Sequence, residues 1–335
     1  MGRHLTVWLL GVTLPAISSM AQALDRFEFT QIEMAVPVRI VLYAADNATA
    51  AGAAQAAFAR FRELNACMSD YDPESELRRL CDTSAEGAAA PVSKDLWQVL
   101  VTAQQLSEKT DGAFDVTVGP IVKIWRNARR TKELPSPEVL ARARASVGYQ
   151  LLRLDSRRQA VELLRPKMRL DLGGIAKGYA VNEAMAAIRK RGVSIAMVEA
   201  GGNIGLGDPP PGKKGWRIGV ASLDRDGPPR QYVTLSSATV STSGDLWQYA
   251  VIGGVRYAHL IDPRTATALT NRCSVTVVGP QGVNTDGLSS AVAILGPEKG
   301  LRLIDDIPGL AAFAVWLIDG KQQIHQTSGW RNLSE

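Results

Sequence analysis

LDLGGIAKGYAVNEA, running from Leu170 to Ala184, holds three glycines, one lysine and no proline. The apolar MRLDL that leads into it reads as a strand, the glycines as a tight turn, and the rest as the start of a helix. In GYAVNEAMAAIRKRG, residues Val181, Ala184, Met185 and Ile188 fall at i, i+3, i+4 and i+7, which is one buried helical face. Lys190 and Arg191 suit its last turn, and Gly192 ends it. Gly173, Gly174 and Gly178 therefore surround a helix N-terminus, where unpaired N–H groups attract anions, and Lys177 adds a positive charge. The G-x-x-x-x-G-K-[ST] spacing of a nucleoside-triphosphate loop is absent. A phosphate loop of another kind and a plain strand-to-helix turn both fit these residues.

Outward from this stretch, helices and short strands alternate without a regular βαβ rhythm. Phe27–Ala44 reads as one strand, with Pro37 at an edge or bulge. Thr49–Met68 reads as a helix. A second helix is capped by Ser93 and stopped by Gly112, and a third is capped by Ser136 with Pro137 at its first position. From Leu151 onward short strands dominate, interrupted by two helices that each begin at a Gly-, Asn- or Asp-rich loop. The expected class is α+β, with mixed or antiparallel sheets and flanking helices. No flexible linker divides the chain, so residues 24–335 read as one domain.

The first 23 residues differ from the rest. Arg3, an apolar run from Leu5 to Ile17 and the small residues of SMAQA form the pattern of a secretory signal peptide, with cleavage after Ala21 or Ala23. No cysteine follows to take a lipid, and no later apolar run is long enough to span a bilayer. The expected location is therefore periplasmic, with no stable membrane insertion of the mature chain. Losing this segment removes one base and no acid, so the net charge falls only from +5 to +4. The clusters RNARRTK (Arg126–Lys132) and PGKKGWR (Pro211–Arg217) lack regular aromatic interleaving. They read as solvated faces rather than a nucleic-acid surface. Of the three cysteines, Cys67 and Cys81 are near enough in sequence to pair in an exported chain, and no C-x-x-C suggests zinc. Outside the leader the histidines are His259 and His325, so any imidazole chemistry falls to them.

Six further stretches offer chemistry. In VNTDGLSSAVAILGPEKGL (Val283–Leu301), Leu288, Ala291, Val292 and Leu295 make an apolar face, and Asp286 and Ser290 share the opposite side about 40° apart. Such an i, i+4 oxygen pair suits a hard cation such as Mg²⁺, or simply caps the helix start. EAGGNIGLGD (Glu199–Asp208) has dinucleotide-like glycines, but PPPGKKG follows where that fold needs a helix. It is a loop where backbone approaches a ligand, or a turn. YAHLIDPRT (Tyr257–Thr265) puts His259 on an apparent strand before a turn, and STSGDLWQY (Ser241–Tyr249) supplies hydroxyls at Gly244. MSDYDPESEL exposes Tyr71 in a polar turn where it could stack on a planar ring, and DGAFDVTVG reads as a turn into a strand.

Taken in order, MSDYDPESEL, GAFDVTVGP, DLGGIAKGYAVN, GGNI, TSGD, HLIDPRT and TDGLSSA resemble the motifs of the ApbE family of FAD:protein FMN transferases, from Met34 to about Gly296. The resemblance implies a T-fold-like architecture with a flavin site between two halves. It also implies an exported transferase that binds FAD with Mg²⁺ and moves the FMN half to a Thr or Ser hydroxyl of a partner flavoprotein, releasing AMP. By the same resemblance Met34 and Tyr71 contact the isoalloxazine, and Ala113, Phe114 and Asp115 form a FAD-contacting segment. Lys177, Glu183 and Leu260 fall at flavin-nucleotide positions. The Ala180 carbonyl, freed at the helix start, joins Asp286 and Ser290 on the metal, and His259 accepts or orients the acceptor hydroxyl. Acceptors of the family include membrane respiratory proteins such as sodium-pumping or Rnf-type reductases. This chain departs from the pattern at Ser290 for Thr, Asn203 for Asp, Cys81 where L-N is common, and PRTATAL without its glycine. The alternatives are an FAD pyrophosphatase, with water as the nucleophile, and a non-catalytic flavin-binding accessory protein.

Overall fold

The computed structural model describes residues 23–83, 88–220, 222–224, 227–246 and 248–333. Apart from Ala23, the expected signal peptide lies outside the described residues. The expected first strand is in fact a hairpin. Strands β1 (Asp25–Glu33) and β2 (Val36–Ala44) pair antiparallel over their whole length. Met34 and Ala35 between them have φ of 49° and 61°. Two central residues at positive φ define a type I′ turn, whose usual signature is Asn-Gly. MA carries no such signal, so the run reads as continuous until strand pairing imposes the turn.

Helix α1 (Asn47–Met68) starts where the Asp46 carboxylate accepts the Thr49 N–H at 2.7 Å, and its buried alanines Ala50, Ala53, Ala54 and Ala57 let it lie close against its neighbours. Next come α2 (Glu76–Thr83), β3 (Ala90–Pro91) and α3 (Lys94–Lys109), the last capped by Ser93 as expected. The strand expected after DGAFD does not form. Asp115 Oδ1 accepts both the N–H and the hydroxyl of Thr117, closing a turn, and Pro120 opens helix α4 (Gly119–Thr131). Helix α5 (Pro137–Arg144) has its expected Ser136 cap. Strands β4 (Leu152–Asp155) and β5 (Ala160–Leu163) then pair beside β3. MRLDL forms only a single Val118–Arg169 bridge and an Asp171 N–H to Val116 O bond, so it is not the expected strand.

Helix α6 (Ala176–Lys190) leads to strands β6 (Ala196–Ala200), β7 (Asn203–Leu206), β8 (Trp216–Val220), β9 (Gln231–Leu235), β10 (Thr239–Gly244), β11 (Tyr249–Ile252), β12 (Val255–Ala258), β13 (Ile261–Asp262), β14 (Thr267–Ala268) and β15 (Cys273–Gly279). Then follow helix α7 (Gly282–Leu295), helix α8 (Pro297–Asp305), strands β16 (Ala311–Ile318) and β17 (Lys321–Gln326), and the short α9 (Ser328–Arg331). Eight strands make one sheet in the order β1-β2-β6-β7-β10-β15-β16-β17, with every neighbouring pair antiparallel. The chain is thus α+β, as its sequence predicts. Central β15 is buried at all seven positions, because helices cover one face and β8, β9 and Trp330 cover the other. A third, smaller core joins α4 to the β11–β12 hairpin and β13–β14. No helix among the described residues is long and apolar enough to cross a membrane. All three cysteines are free thiols. Cys67 hydrogen-bonds Glu76, and Cys81 accepts the Leu170 N–H, so the possible Cys67–Cys81 pair is not formed.

Candidate functional site

The sheet brings several turns to one end. The hairpin turn at Gly201–Gly202, both at positive φ, carries β6 into β7, and the Thr242 N–H donates to Gly202 O at 2.9 Å. A methyl group built on Gly201 would lie 3.1 Å from Val36 and 3.2 Å from the Lys177 stem. The glycine turn, the strand that follows the Met34 turn and Lys177 therefore meet. Beneath them α6 and α7 cross in close contact. The Gly282 N–H donates to Asn182 Oδ1, and the Gly178 N–H donates to Asp286 Oδ2 at 2.8 Å. No side chain caps the start of α6.

Asp286 is the centre of this arrangement. It is 4% exposed, and no cationic side chain among the described residues pairs with it; the nearby Lys177 ammonium donates instead to Gly173 O. Its partners are the Gly178 N–H, the Asn203 amide N–H at 3.2 Å and, at the limit of reach, the Ser241 hydroxyl. Asn203 in turn has a buried Oδ1 with no partner. A buried carboxylate without a counter-charge, beside an orphaned carbonyl oxygen, is expensive unless a cation completes it. Hydroxyls fill the rest of the wall. Ser243 Oγ lies 2.7 Å from Ser289 Oγ and 3.0 Å from Ser290 Oγ, and Ser289 donates to Asp286 O at 2.9 Å. The side of α7 that carries Asp286 and Ser290 is not a solvent face. It is buried against α6 and β10. Among the described residues no three His, Cys, Asp or Glu side chains gather to hold a metal. A cation here would rest on one carboxylate and neutral oxygens, the donor set of a hard ion that shares substrate phosphates.

The other predicted residues separate into groups. Tyr71 is 73% exposed, with the Arg126 guanidinium 4.4 Å above its ring. Arg126 also ion-pairs with Asp70 and, at 2.7 Å, with Asp171, whose other oxygen accepts the Gly173 N–H. The RNARRTK cluster is therefore not merely a solvated face, since Arg126 staples the Tyr71 turn to the glycine loop. Burial and the neighbouring Asp70 charge push the Asp171 pKa up, and Arg126 offsets them. Ala113, Phe114 and Asp115 are buried. The Phe114 ring sits under Gly174 and Gly287, and the Asp115 carboxylate, its pKa raised by burial, is used by Thr117. What this segment can offer a ligand is backbone. Leu260 is buried and pairs through its carbonyl with Leu269.

Ala180 lies within α6, five residues in, rather than at its start. Its carbonyl belongs to the helix ladder and retains one lone pair, so it is not freed as expected. Glu183 is brought to a different place from Lys177. Arg60 of α1 holds it at 2.8 Å, beside Asp95 and Tyr179, and it borders a separate cavity of about 410 Å³ between α3, α6 and α7. His259 follows β12 directly. Its backbone N–H and its Nδ1 both approach Gln248 O, at 3.0 and 3.3 Å. Burial first, then the Arg129 and Lys177 charges, hold its pKa down at about 4, so the imidazole is neutral at neutral pH. Sequence reasoning missed Asn203, Ser241, Ser243, Ser289 and Arg126 as parts of this site. The hydroxyl run STSGD was the available signal for Ser241 and Ser243, and TDGLSSA for Ser289.

A buried carboxylate that, among the described residues, meets only the Gly178 and Asn203 N–H groups and serine hydroxyls can hold a cation, and the neutral His259 imidazole can receive a proton. The comparisons agree with this setting. The motif pattern of the ApbE family matches residues 34–314. FAD:protein FMN transferase of Haemophilus influenzae is 31% identical over 281 residues, covering 82% of this chain and 81% of its own length. That of Vibrio cholerae is 34% identical over 249 residues, covering 72% and 73%. Among solved structures, the apo flavinyl transferase ApbE of Pseudomonas stutzeri superposes with a TM-score of 0.82 at 28% identity, covering 93% of this chain and 98% of the other. The ApbE protein of Thermotoga maritima gives 0.83 at 28%, covering 93% and 100%. With the motifs matched over most of its length and the same architecture in the solved structures, this chain belongs to the ApbE family.

Proposed function

We propose that this protein is a flavin transferase that uses FAD and Mg²⁺ to attach FMN through a phosphoester to a Thr or Ser hydroxyl of an acceptor flavoprotein, releasing AMP. The observation that carries the reading is Asp286, a buried carboxylate with no cationic partner among the described residues, beside the orphaned Asn203 oxygen. Asp286, the Ser290 hydroxyl and the remaining lone pair of the Ala180 carbonyl would hold the ion. Bound there, Mg²⁺ would supply charge neutralisation for the pyrophosphate. Met34, Tyr71, the 113–115 backbone, Lys177 and Leu260 are the proposed FAD contacts, whereas Glu183, held by Arg60 beside the separate cavity, is set apart from them. The acceptor oxygen attacks the FMN-side phosphorus, the bond from that phosphorus to the bridging oxygen breaks, and AMP leaves on that oxygen. The hydroxyl proton passes to His259 or to solvent. Positioning and charge do most of the work in such a transfer. The proposed setting is the periplasm, on the strength of the N-terminal leader pattern.

The test is incubation with FAD, Mg²⁺ and the isolated FMN-accepting domains of sodium-pumping and Rnf-type reductases, read by mass spectrometry. One FMN added per acceptor with one AMP released is expected. AMP with free FMN alone would mean a hydrolase, and unchanged retained FAD would mean a binding protein.

His259 adds a pH prediction. The neutral ring is the form able to take a proton, and it persists down to about pH 4. The acceptor kcat/KM is therefore expected to show no histidine break between pH 8 and 5 and to fall only near 4. A break near the ordinary value of 6.5 would contradict the depressed pKa of this partly buried ring. Stability follows the same sign. The His259 contribution is complete above 6.5 and is lost as pH falls toward 4.

A further inference from the structure

The β11–β12 hairpin turns at Gly253–Gly254, with φ of 57° and 80°, so it closes with a two-residue turn. In such a hairpin the flanking pair Ile252–Val255 is hydrogen-bonded, and the pairs then alternate along the ladder. Val251–Arg256 and Tyr249–Ala258 are not bonded to each other. The backbone N–H and C=O of Tyr249 and Val251 therefore point away from β12, where, among the described residues, no other strand pairs and neither residue makes another backbone hydrogen bond. Their side chains are exposed too, at 45% and 51%, while Ala250 and Ile252 between them are buried against α4.

An apolar, uncharged strand edge in this state invites pairing, and proteins normally blunt it. This chain does so at both edges of its large sheet. Outer strand β1 carries Arg26 and Glu28, and β17 reads KQQIHQ. Strand β11 reads YAVI, with no charge and no proline. The edge is also continuous with the candidate site. Gln248, the residue before β11, holds both the backbone N–H and the ring of His259. Arg256 lies 3.3 Å above the Tyr249 ring and pairs with buried Asp245, which fixes that aromatic in place as an anchor.

We propose that the outer edge of β11 is the docking strand for the acceptor protein, which adds an extended segment beside Tyr249–Ile252 and so carries its target hydroxyl past Gln248 to His259. The inference rests on the transferase reading above. Main-chain pairing gives such docking its affinity, and the exposed Val251 and Tyr249 side chains give it register.

The test measures FMN transfer to whichever reductase domain the wild-type enzyme labels. Val251→Pro removes an outward N–H without touching the inner ladder. It is expected to lower acceptor kcat/KM roughly tenfold or more. FAD binding, read by flavin fluorescence, and the melting temperature should stay at wild-type values. Val251→Lys keeps the N–H, places a charge on the edge and should show the same loss, whereas Val251→Thr keeps both shape and N–H and should transfer normally. Wild-type kcat/KM in both the proline and lysine variants would overturn the docking edge and leave the transferase reading standing. Failure of the wild-type enzyme to label any of the domains would overturn both. A self-association of this chain that Val251→Pro abolishes, with transfer unaffected, would assign the edge to a second copy instead.

Discussion

Asp286→Ala is expected to lower FMN transfer by at least about a thousandfold, the scale on which loss of a buried electrostatic group acts in phosphoryl and acyl transfer. The effect should be nearly the same in Asp286→Asn. The amide can still accept the Gly178 N–H, so the asparagine variant removes charge while keeping geometry. Fold and catalysis should separate cleanly. Alanine leaves the Gly178 N–H and the Asn203 amide without their acceptor, at a cost of about 1–3 kcal/mol each. Against that, it removes a carboxylate that is 4% exposed and has no ion-pair partner among the described residues. The two terms oppose each other, and the apo variant should remain folded. A second readout is independent of turnover. Mg²⁺ at about a hundred times its dissociation constant should stabilise the wild-type protein by about 2.7 kcal/mol. Both Asp286 variants should lose that gain. Transfer by Asp286→Ala at the wild-type rate with Mg²⁺ present would remove Asp286 from the metal site.

The helices were the most legible part of the fold because their signals are local. Ser93 and Ser136 cap the helices they precede, and the apolar spacing of α6 and α7 is a property of single segments. Turns set by pairing were illegible. Met34 and Ala35 adopt positive φ because β1 and β2 require it, not because either residue favours it. The α4 start was hidden for a related reason, since VTVG has strand composition and only the Asp115 turn followed by Pro120 tips it to helix. At the site, the i, i+4 spacing of Asp286 and Ser290 was readable as an oxygen pair. Its lack of a counter-charge was not, because that depends on where Lys177 and every arginine end up. Asn203 could be noticed only as a departure from a motif. Its orphaned oxygen exists only once β7 stands beside α7.

Gly178→Ala should be the most damaging small substitution in the chain. By helix propensity alone it should help, since alanine in a helix interior is favoured over glycine by about 1 kcal/mol. Packing reverses the sign. A methyl group on Gly178 would sit 2.6 Å from the Gly282 carbonyl carbon, 2.6 Å from Asp286 Cβ and closer still to the Gly282 oxygen, where real contacts essentially never fall under 3.0 Å. The obstacle on one side is backbone, so no rotamer change relieves it, and α6 and α7 must move apart. Overpacking usually costs about 1–3 kcal/mol, and a clash with main chain belongs at or beyond the upper end. About 3 kcal/mol net corresponds to a melting temperature lower by roughly 6–10 °C in a domain of this size. The same movement pulls the Gly178 N–H away from Asp286, so transfer should fall even at temperatures where the variant is folded. Gly52→Ala in α1 is the control. Nothing lies within 4 Å of the added methyl, and there the propensity gain of about 0.5–1 kcal/mol should appear undiminished. Opposite signs for one substitution in two helices would establish that the α6–α7 contact, and not glycine itself, is what the site requires. A Gly178→Ala protein melting at or above the wild-type temperature would show that the two helices do not approach as closely as the Gly178–Gly282 contact demands.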